Sequence, residues 1–157
     1  MKRRTARENA FIAAFEESFQ PGSMQEIIDY SRDSGDEELM VDEFGESLLH
    51  CLVLHREEAD KLIEPKLKNW RMNRIPRVCL IVLELAVAEM FFGPEKDLDS
   101  VIINEAVEMT KKFGGEEDYQ FVNGVLGALS RERAGDADDT DAGPAGAEET
   151  DVRGAEK

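Results

Sequence analysis

The apolar run at residues 78–92 is the feature that most constrains what this chain can fold into. A helix that crosses a bilayer needs about 20 apolar residues, and this run is shorter. It also contains Glu84 and Glu89, whose charges would be costly in lipid. Pro76 precedes the run, where a first helical turn tolerates proline, and Gly93-Pro94 ends it. The run therefore predicts the buried central helix of a globular domain, not a membrane segment.

Apolar residues elsewhere recur at spacings of three and four, and no strand-like alternation persists. With 157 residues and 41% hydrophobic content, the chain can bury one core. We therefore predict an all-α fold, a single compact bundle of about seven helices within residues 1–133. The seven segments cover residues 5–19, 23–30, 44–53, 59–70, 76–92, 99–113 and 118–131. Pro65 is expected to kink or end the fourth, and Gly114-Gly115 to end the sixth in a left-handed cap.

Asn123-Gly124 is a strong turn signal inside an apolar stretch. The flanking residues do not alternate as a hairpin requires, because Phe121, Val125 and Leu129 recur every four residues. We therefore predict a helix through this pair. Gly124 and Gly127 would then form a strip without side chains, which we interpret as a close contact with the central helix. Such a contact would offset the roughly 1 kcal/mol that a helical glycine costs.

Charge is distributed unevenly along the chain. The net charge is −16, which by itself argues against nucleic acid, yet residues 1–7 hold four basic residues and no acid. We call residues 1–7 the basic head. Residues 134–157 hold eight acids and two bases and are poor in large apolar residues, which predicts a disordered acidic tail. No signal-peptide segment opens the sequence, which indicates a cytoplasmic protein.

The residue types that carry catalysis or bind metals are sparse. Cys51 and Cys79 lie in apolar helical runs, which is typical of reduced, buried thiols. His50 and His55 have no acid or cysteine at ligand spacing, so we expect neither a metal site nor a cofactor. No glycine-rich phosphate loop and no pairing of nucleophile with base is present, so we expect no enzyme.

Residues 101–129 carry Ile-Asn-Glu-Ala-Val-Glu, then Lys-Phe-Gly, then Phe-Val-Asn-Gly-Val-Leu. This stretch resembles the C-terminal signature of the NusB family of transcription antitermination factors. The resemblance extends upstream through residues 4–8, 62–65, Trp70 and 74–75, and so spans about residues 4–130. It implies an all-helical fold and a non-catalytic protein that binds boxA-type single-stranded RNA of ribosomal RNA leader transcripts. It also implies two partners, the ribosomal protein NusE and the transcription elongation complex.

Two groups of residues are the predicted RNA-binding site. The basic head supplies Lys2, Arg3, Arg4 and Arg7, which can follow phosphates and give salt-dependent affinity. The resemblance adds Glu117, Tyr119, Gln120 and Phe121 at the start of the last helix, where an aromatic ring could stack on a base. The alternative for Phe121 is a core residue, and Asn104 and Asn123 are expected to tie backbone groups more readily than to contact RNA. We expect the basic head to lie beside the start of the last helix.

The central helix departs from the family pattern. It has Cys79 and Leu80 where the family usually has an acid and a base, and Glu84 where the family has arginine. The resemblance places the NusE contact in this region, so we predict Arg77, Leu80 and Glu84 as partner-binding residues. Glu84 requires a nearby cation, for which Arg74, Arg77 and Lys111 are the candidates. The alternative function is a helical protein-interaction module, a homodimer for example, with weakened NusE or RNA binding.

Overall fold

The computed structural model describes residues 1–67 and 74–137, except for the side chains of residues 136 and 137. Within these ranges the chain forms six α-helices, one 3-10 turn and no strand, which confirms the predicted all-α class. The helices are α1 (Arg3–Glu17), α2 (Met24–Asp33), α3 (Glu43–Ile63), α4 (Arg77–Phe92), α5 (Asp99–Phe113) and α6 (Asp118–Ala137), and the 3-10 turn is Glu64–Lys66.

Helix α4 is the centre of the bundle, as its apolar sequence predicts. Every residue from Ile81 to Met90 is buried, because α4 packs against α1, α3, α5 and α6. Its two glutamates are buried with the apolar residues, so each needs a partner inside the protein. Nowhere in the described ranges does a helix reach the length and apolar content of a bilayer span.

The predicted third and fourth helices are one kinked helix, α3, which is why the described helix count is six. His55 has the non-helical angles φ −116° and ψ 18°, and its ring stacks on Phe92 with centroids 4.2 Å apart. The helix continues past this kink to Ile63, and Pro65 then lies in the 3-10 turn. The predicted break at Pro65 is confirmed, whereas Trp70 lies outside the described residues.

Helix α6 runs through Asn123-Gly124, so the helical interpretation of this pair is confirmed. The predicted close contact at the glycine strip is wrong. Residues 122, 125, 126 and 129 form the buried stripe of α6, and positions 124 and 127 lie on the other side of the helix. A Cβ built on Gly124 would meet nothing within 4 Å, and one on Gly127 would meet only the Arg131 side chain.

Helices α5 and α6 form an antiparallel hairpin joined through Gly114-Gly115. Gly114 has φ −104°, so the predicted left-handed cap is absent. Glycine is needed there for another reason, because a Cβ would lie 2.9 Å from the backbone oxygen of Thr110. Helix α6 extends to Ala137, beyond the predicted domain boundary at Arg133. Residues 138–157 lie outside the described ranges, so the disordered tail stays a prediction.

Candidate nucleic-acid interface

The first turn of α1 presents two cations to solvent. Lys2 is exposed at the N-cap position, and Arg3 is exposed in the first turn. The Arg3 guanidinium lies 4.1 Å from the centroid of the Phe44 ring at the start of α3. This cation–π contact orients Arg3 without neutralising it, because the ring carries no net charge. Both side chains therefore remain available to an anionic ligand.

Arg4 is exposed but forms an ion pair with a residue of α5. Its Nε donates to Glu105 Oε1 at 2.9 Å, and its Nη2 donates to Oε2 at 3.3 Å. The hydrogen bond to Glu105 raises the pKa of Arg4 above its ordinary value. Glu105 is mostly covered whereas Arg4 is 54% exposed, so the outer edge of the guanidinium faces solvent. Arg4 can contact a phosphate, but part of its charge is already compensated.

Arg7 differs from the other basic residues of the head because it is buried, with 6% of its surface exposed. Its Nε donates to Glu89 Oε1 at 3.0 Å, and its Nη2 donates to Oε2 at 2.6 Å. Burial alone would lower the pKa of Arg7, but the hydrogen bond to Glu89 and its charge raise it. Arg7 therefore fastens α1 to α4 and is not presented to a phosphate.

The predicted residues at the start of α6 differ in exposure. Glu117 and Gln120 are exposed, and Tyr119 is half-buried. Lys111 Nζ, near the end of α5, lies 4.8 Å from the centroid of the Tyr119 ring. Phe121 is half-buried and packs against the core, which agrees with its core interpretation and still leaves part of the ring near the surface. Both aromatic rings are therefore half-buried.

Helix α5 separates the basic head from the start of α6. On one flank of α5, Glu105 pairs with Arg4, and on the other flank Lys111 covers Tyr119. Glu108 stands on the exposed ridge between them, 3.6 Å from Lys111 Nζ. A helix with its side chains is about 10–12 Å across. The basic head and the start of α6, which we expected to lie side by side, are therefore separated by roughly one helix width. Helix α5 lies between them, and we treat α5 with its two flanks as one candidate surface.

Lys111 and Lys112 are cations of this surface that the sequence pattern alone did not assign to it. Lys112 Nζ lies 3.0 Å from Glu8 Oε1, on the α1 flank of α5. Both lysines occupy the last turn of α5. The sequence does contain a signal that could have assigned these lysines to the surface. They are adjacent within the NusB-like signature, and they add two positive charges next to the aromatic start of α6.

The predicted partner-binding residues separate into exposed and buried ones. Arg77 is exposed, its Nη1 donates to Ser18 Oγ at 3.0 Å, and its guanidinium lies 4.2 Å from the centroid of the Phe19 ring. Phe19 is 60% exposed although the sequence pattern placed it on the apolar face of α1. Leu80 is half-buried one turn after Arg77. We group Phe19 and Arg77, which are in contact, with Leu80 one helical turn away as a candidate surface patch.

Glu84 does not belong to this patch, because it is 4% exposed and points into the bundle. The cation near it is Arg56, whose Nε lies 3.8 Å from Glu84 Oε1, and not one of the three predicted candidates. Glu17 and Asp60 face the same cluster. Burial, followed by a hydrogen bond with Asp60, raises the pKa of Glu84 to about 9. The raised pKa favours the protonated form of Glu84 at neutral pH.

Both cysteines and both histidines lie in helices α3 and α4. Both thiols are free, and burial raises the pKa of Cys79 to about 12. Among the residues that the structure describes, no group of three or more histidine, cysteine or acidic side chains could hold a metal ion. The His55 ring bonds Glu58 at 2.7 Å and supports the α3 kink.

The fold and this surface define a small all-α domain with exposed cations at one helix start. The model of the NusB family matches residues 4–131. The chain is 38% identical over 126 residues to the transcription antitermination protein NusB of Bacillus subtilis, covering 80% of this chain and 92% of that protein. The chain belongs to the NusB family.

Solved structures of the family share the fold. Thermotoga maritima NusB matches with a TM-score of 0.69 and 28% identity, over 84% of this chain and 92% of that one. A crystal structure of antitermination factors NusB and NusE in complex with dsRNA matches with a TM-score of 0.66 and 28% identity, over 83% of this chain and 96% of that one.

Proposed function

We propose that this protein is a transcription antitermination factor that binds boxA-type single-stranded RNA of ribosomal RNA leader transcripts together with the ribosomal protein NusE. Its place of action is the cytoplasmic transcription elongation complex, and its role is binding without catalysis. The observation that carries this proposal is the set of exposed cations Lys2, Arg3 and Arg4 at the start of α1. They lie across α5 from Tyr119, in a chain that belongs to the NusB family.

The exposed cations and the aromatic start of α6 suit different parts of an RNA strand. Among the described residues Lys2 and Arg3 have no ion-pair partner, and their positive charge can contribute affinity for phosphates without sequence choice. Tyr119, Gln120 and the accessible part of Phe121 lie where unstacked bases could be held, and Glu117 borders them. Arg7 contributes indirectly, because its bond to Glu89 holds the first turns of α1 in place.

The NusE contact is proposed at the patch of Phe19, Arg77 and Leu80. An exposed aromatic ring beside a guanidinium is a common centre of a protein interface. The same patch supports the alternative function, a homodimeric helical module with weakened NusE or RNA binding, because an exposed phenylalanine also suits a second copy. Sedimentation of Phe19→Ala and of the unaltered protein, with and without NusE, separates the two functions.

The decisive experiment titrates boxA-type RNA, with and without NusE, over a series of salt concentrations. Replacing Lys2, Arg3 and Arg4 with alanine should weaken binding and reduce the salt slope, by about one for each phosphate that the variant no longer reaches. The control replaces Lys61, Lys66 and Arg74 with alanine. These three residues carry the same total charge and lie near or after the C-terminal end of α3. Lys61 is roughly 25 Å along the helix axis from Phe44. Equal slopes for the two triple variants, or no RNA binding by the unaltered protein, would contradict the proposal.

A further inference from the structure

An open groove runs between α5 and α6, next to the predicted RNA-binding residues. It is widely open to solvent and has a volume of about 430 Å³. The residues that line it are Ser100, Ile103, Asn104, Val107, Tyr119 and Asn123. Apolar side chains from α5 form part of its wall, and polar groups from both helices face it.

Asn104 and Asn123 are the unusual members of this groove. Both are exposed, and within the described part of the chain neither amide forms a hydrogen bond. The expectation that they tie backbone groups therefore does not agree with the geometry. Asparagine within a helix is less favourable than alanine, so neither residue is explained by helix stability. Two solvent-exposed amides, with no protein partner among the described residues, are available to a ligand in the groove between α5 and α6.

The chemistry of the groove suits one unpaired nucleobase. An asparagine amide offers both donors and an acceptor, and it can pair with the edge of a base through two hydrogen bonds. Unpaired RNA bases expose these edges, and aromatic side chains stack on their faces. Tyr119 supplies such a ring at one end of the groove, while Ile103 and Val107 supply apolar contact.

A cation stands at the same end. Lys111 Nζ lies over the Tyr119 ring, and the lysine side chain is 49% exposed. It can leave the ring for a phosphate when a base stacks there, because its long side chain is free to move in solvent. The basic head lies across the α5 ridge, so a strand bound to the head reaches this groove after crossing one helix.

We propose that the α5–α6 groove binds one unpaired base of the RNA, with Asn104 and Asn123 reading its edge and Tyr119 stacking on its face. The inference depends on the proposed function, since it assigns sequence choice within the same RNA-binding surface. It divides the surface into two parts: the cations of the basic head set overall affinity, and the groove sets the preference for boxA-type sequence.

The test compares binding of a boxA-type RNA with binding of a scrambled RNA of equal length and composition, in the presence of NusE. The Asn104→Ala/Asn123→Ala double variant should lower the ratio of the two affinities by about fivefold or more, since a bidentate contact discriminates at least that well. Its salt slope should not change. Gln25→Ala removes an exposed amide from α2 and serves as the matched control, with an unchanged ratio expected.

The triple variant of the basic head should show the opposite pattern, with a reduced salt slope and a retained ratio. If the asparagine variant keeps the full ratio, the groove does not read bases, while the proposed function stands. If the unaltered protein binds neither RNA, the proposed function itself fails. If the asparagine variant keeps RNA recognition but loses NusE affinity, the groove is a protein contact and the inference is overturned.

Discussion

Arg7 on α1 and Glu89 on α4 form a buried, two-bond ion pair, with Nη2 and Oε2 2.6 Å apart. The pair joins the helix that begins with the basic head to the helix at the centre of the core. It also explains why Arg7, which the sequence groups with the exposed cations of the basic head, is not on the surface.

Arg7→Ala should lower the free energy of unfolding by about 3–5 kcal/mol, because Glu89 would keep a buried charge without its partner. Urea unfolding followed by circular dichroism measures this decrease. Arg4→Ala is the control, since its exposed pair with Glu105 should contribute less than about 1 kcal/mol. A double replacement, Arg7→Met with Glu89→Leu, should recover much of the stability. Equal decreases for Arg7→Ala and Arg4→Ala would show that the buried pair does not anchor α1.

Glu84 should make stability depend on pH. Its pKa is raised from 4.5 to about 9 in the folded protein, so the folded state holds a proton that the unfolded state releases. The free energy of unfolding should therefore fall as pH rises from about 4.5 to 9. Glu84→Gln removes this titration and should be more stable than the unaltered protein at pH 8, by on the order of 1 kcal/mol or more.

Urea unfolding of both proteins between pH 5 and 9 measures the difference in slope. Glu57→Gln, which makes the same change at an exposed position of α3, is the control and should leave the slope unchanged. A Glu84→Gln variant with the unaltered slope would mean that Glu84 is ionised inside the bundle.

Gly124→Ala should stabilise the protein by about 0.5–1 kcal/mol, because alanine is the better helix former and the added methyl meets no other atom. Thermal unfolding measures the gain. Gly127→Ala should gain less, since its methyl would lie 3.1 Å from Arg131 Nη1, at the end of a flexible side chain. A lower melting temperature for Gly124→Ala would indicate that another surface approaches this side of α6.

Cys79 should resist alkylation in the folded protein, since it is fully buried and its pKa is about 12. Half-buried Cys51 should react with iodoacetamide at pH 8 before Cys79 does. Peptide mass spectrometry at successive times measures both rates, and labelling in urea gives the reference. Equal rates for Cys79 in the folded and urea-treated protein would contradict its burial.

Local patterns predicted the helices well, because helical spacing of apolar residues is visible in a single sequence. The same spacing could have separated Arg7 from the other cations. Arg7, Ala10 and Ala14 recur at intervals of three and four, so Arg7 lies on the buried face of α1. Its partner Glu89 could not be predicted, since the two are joined only by the packing of distant helices.

The partners of Glu84 show the same limit. Asp60 and Arg56 approach it from α3, and no spacing within α4 indicates this cluster. The groove between α5 and α6 was equally hidden, because Asn104 and Asn123 look like ordinary helix residues until the hairpin brings them together. Sequence patterns indicated the region proposed to bind RNA but not its division into cations and groove.

The proposed RNA surface uses residues from α1 and α6, and both helices pack against α5. A nascent chain still emerging from the ribosome would expose Lys2 and Arg3 long before Tyr119 and Asn123 are translated. The cations alone would attract any transcript, whereas discrimination by the proposed groove would begin only after residues up to Asn123 have been made. On the proposed function, this protein would therefore acquire selective recognition later in its synthesis than electrostatic attraction to RNA.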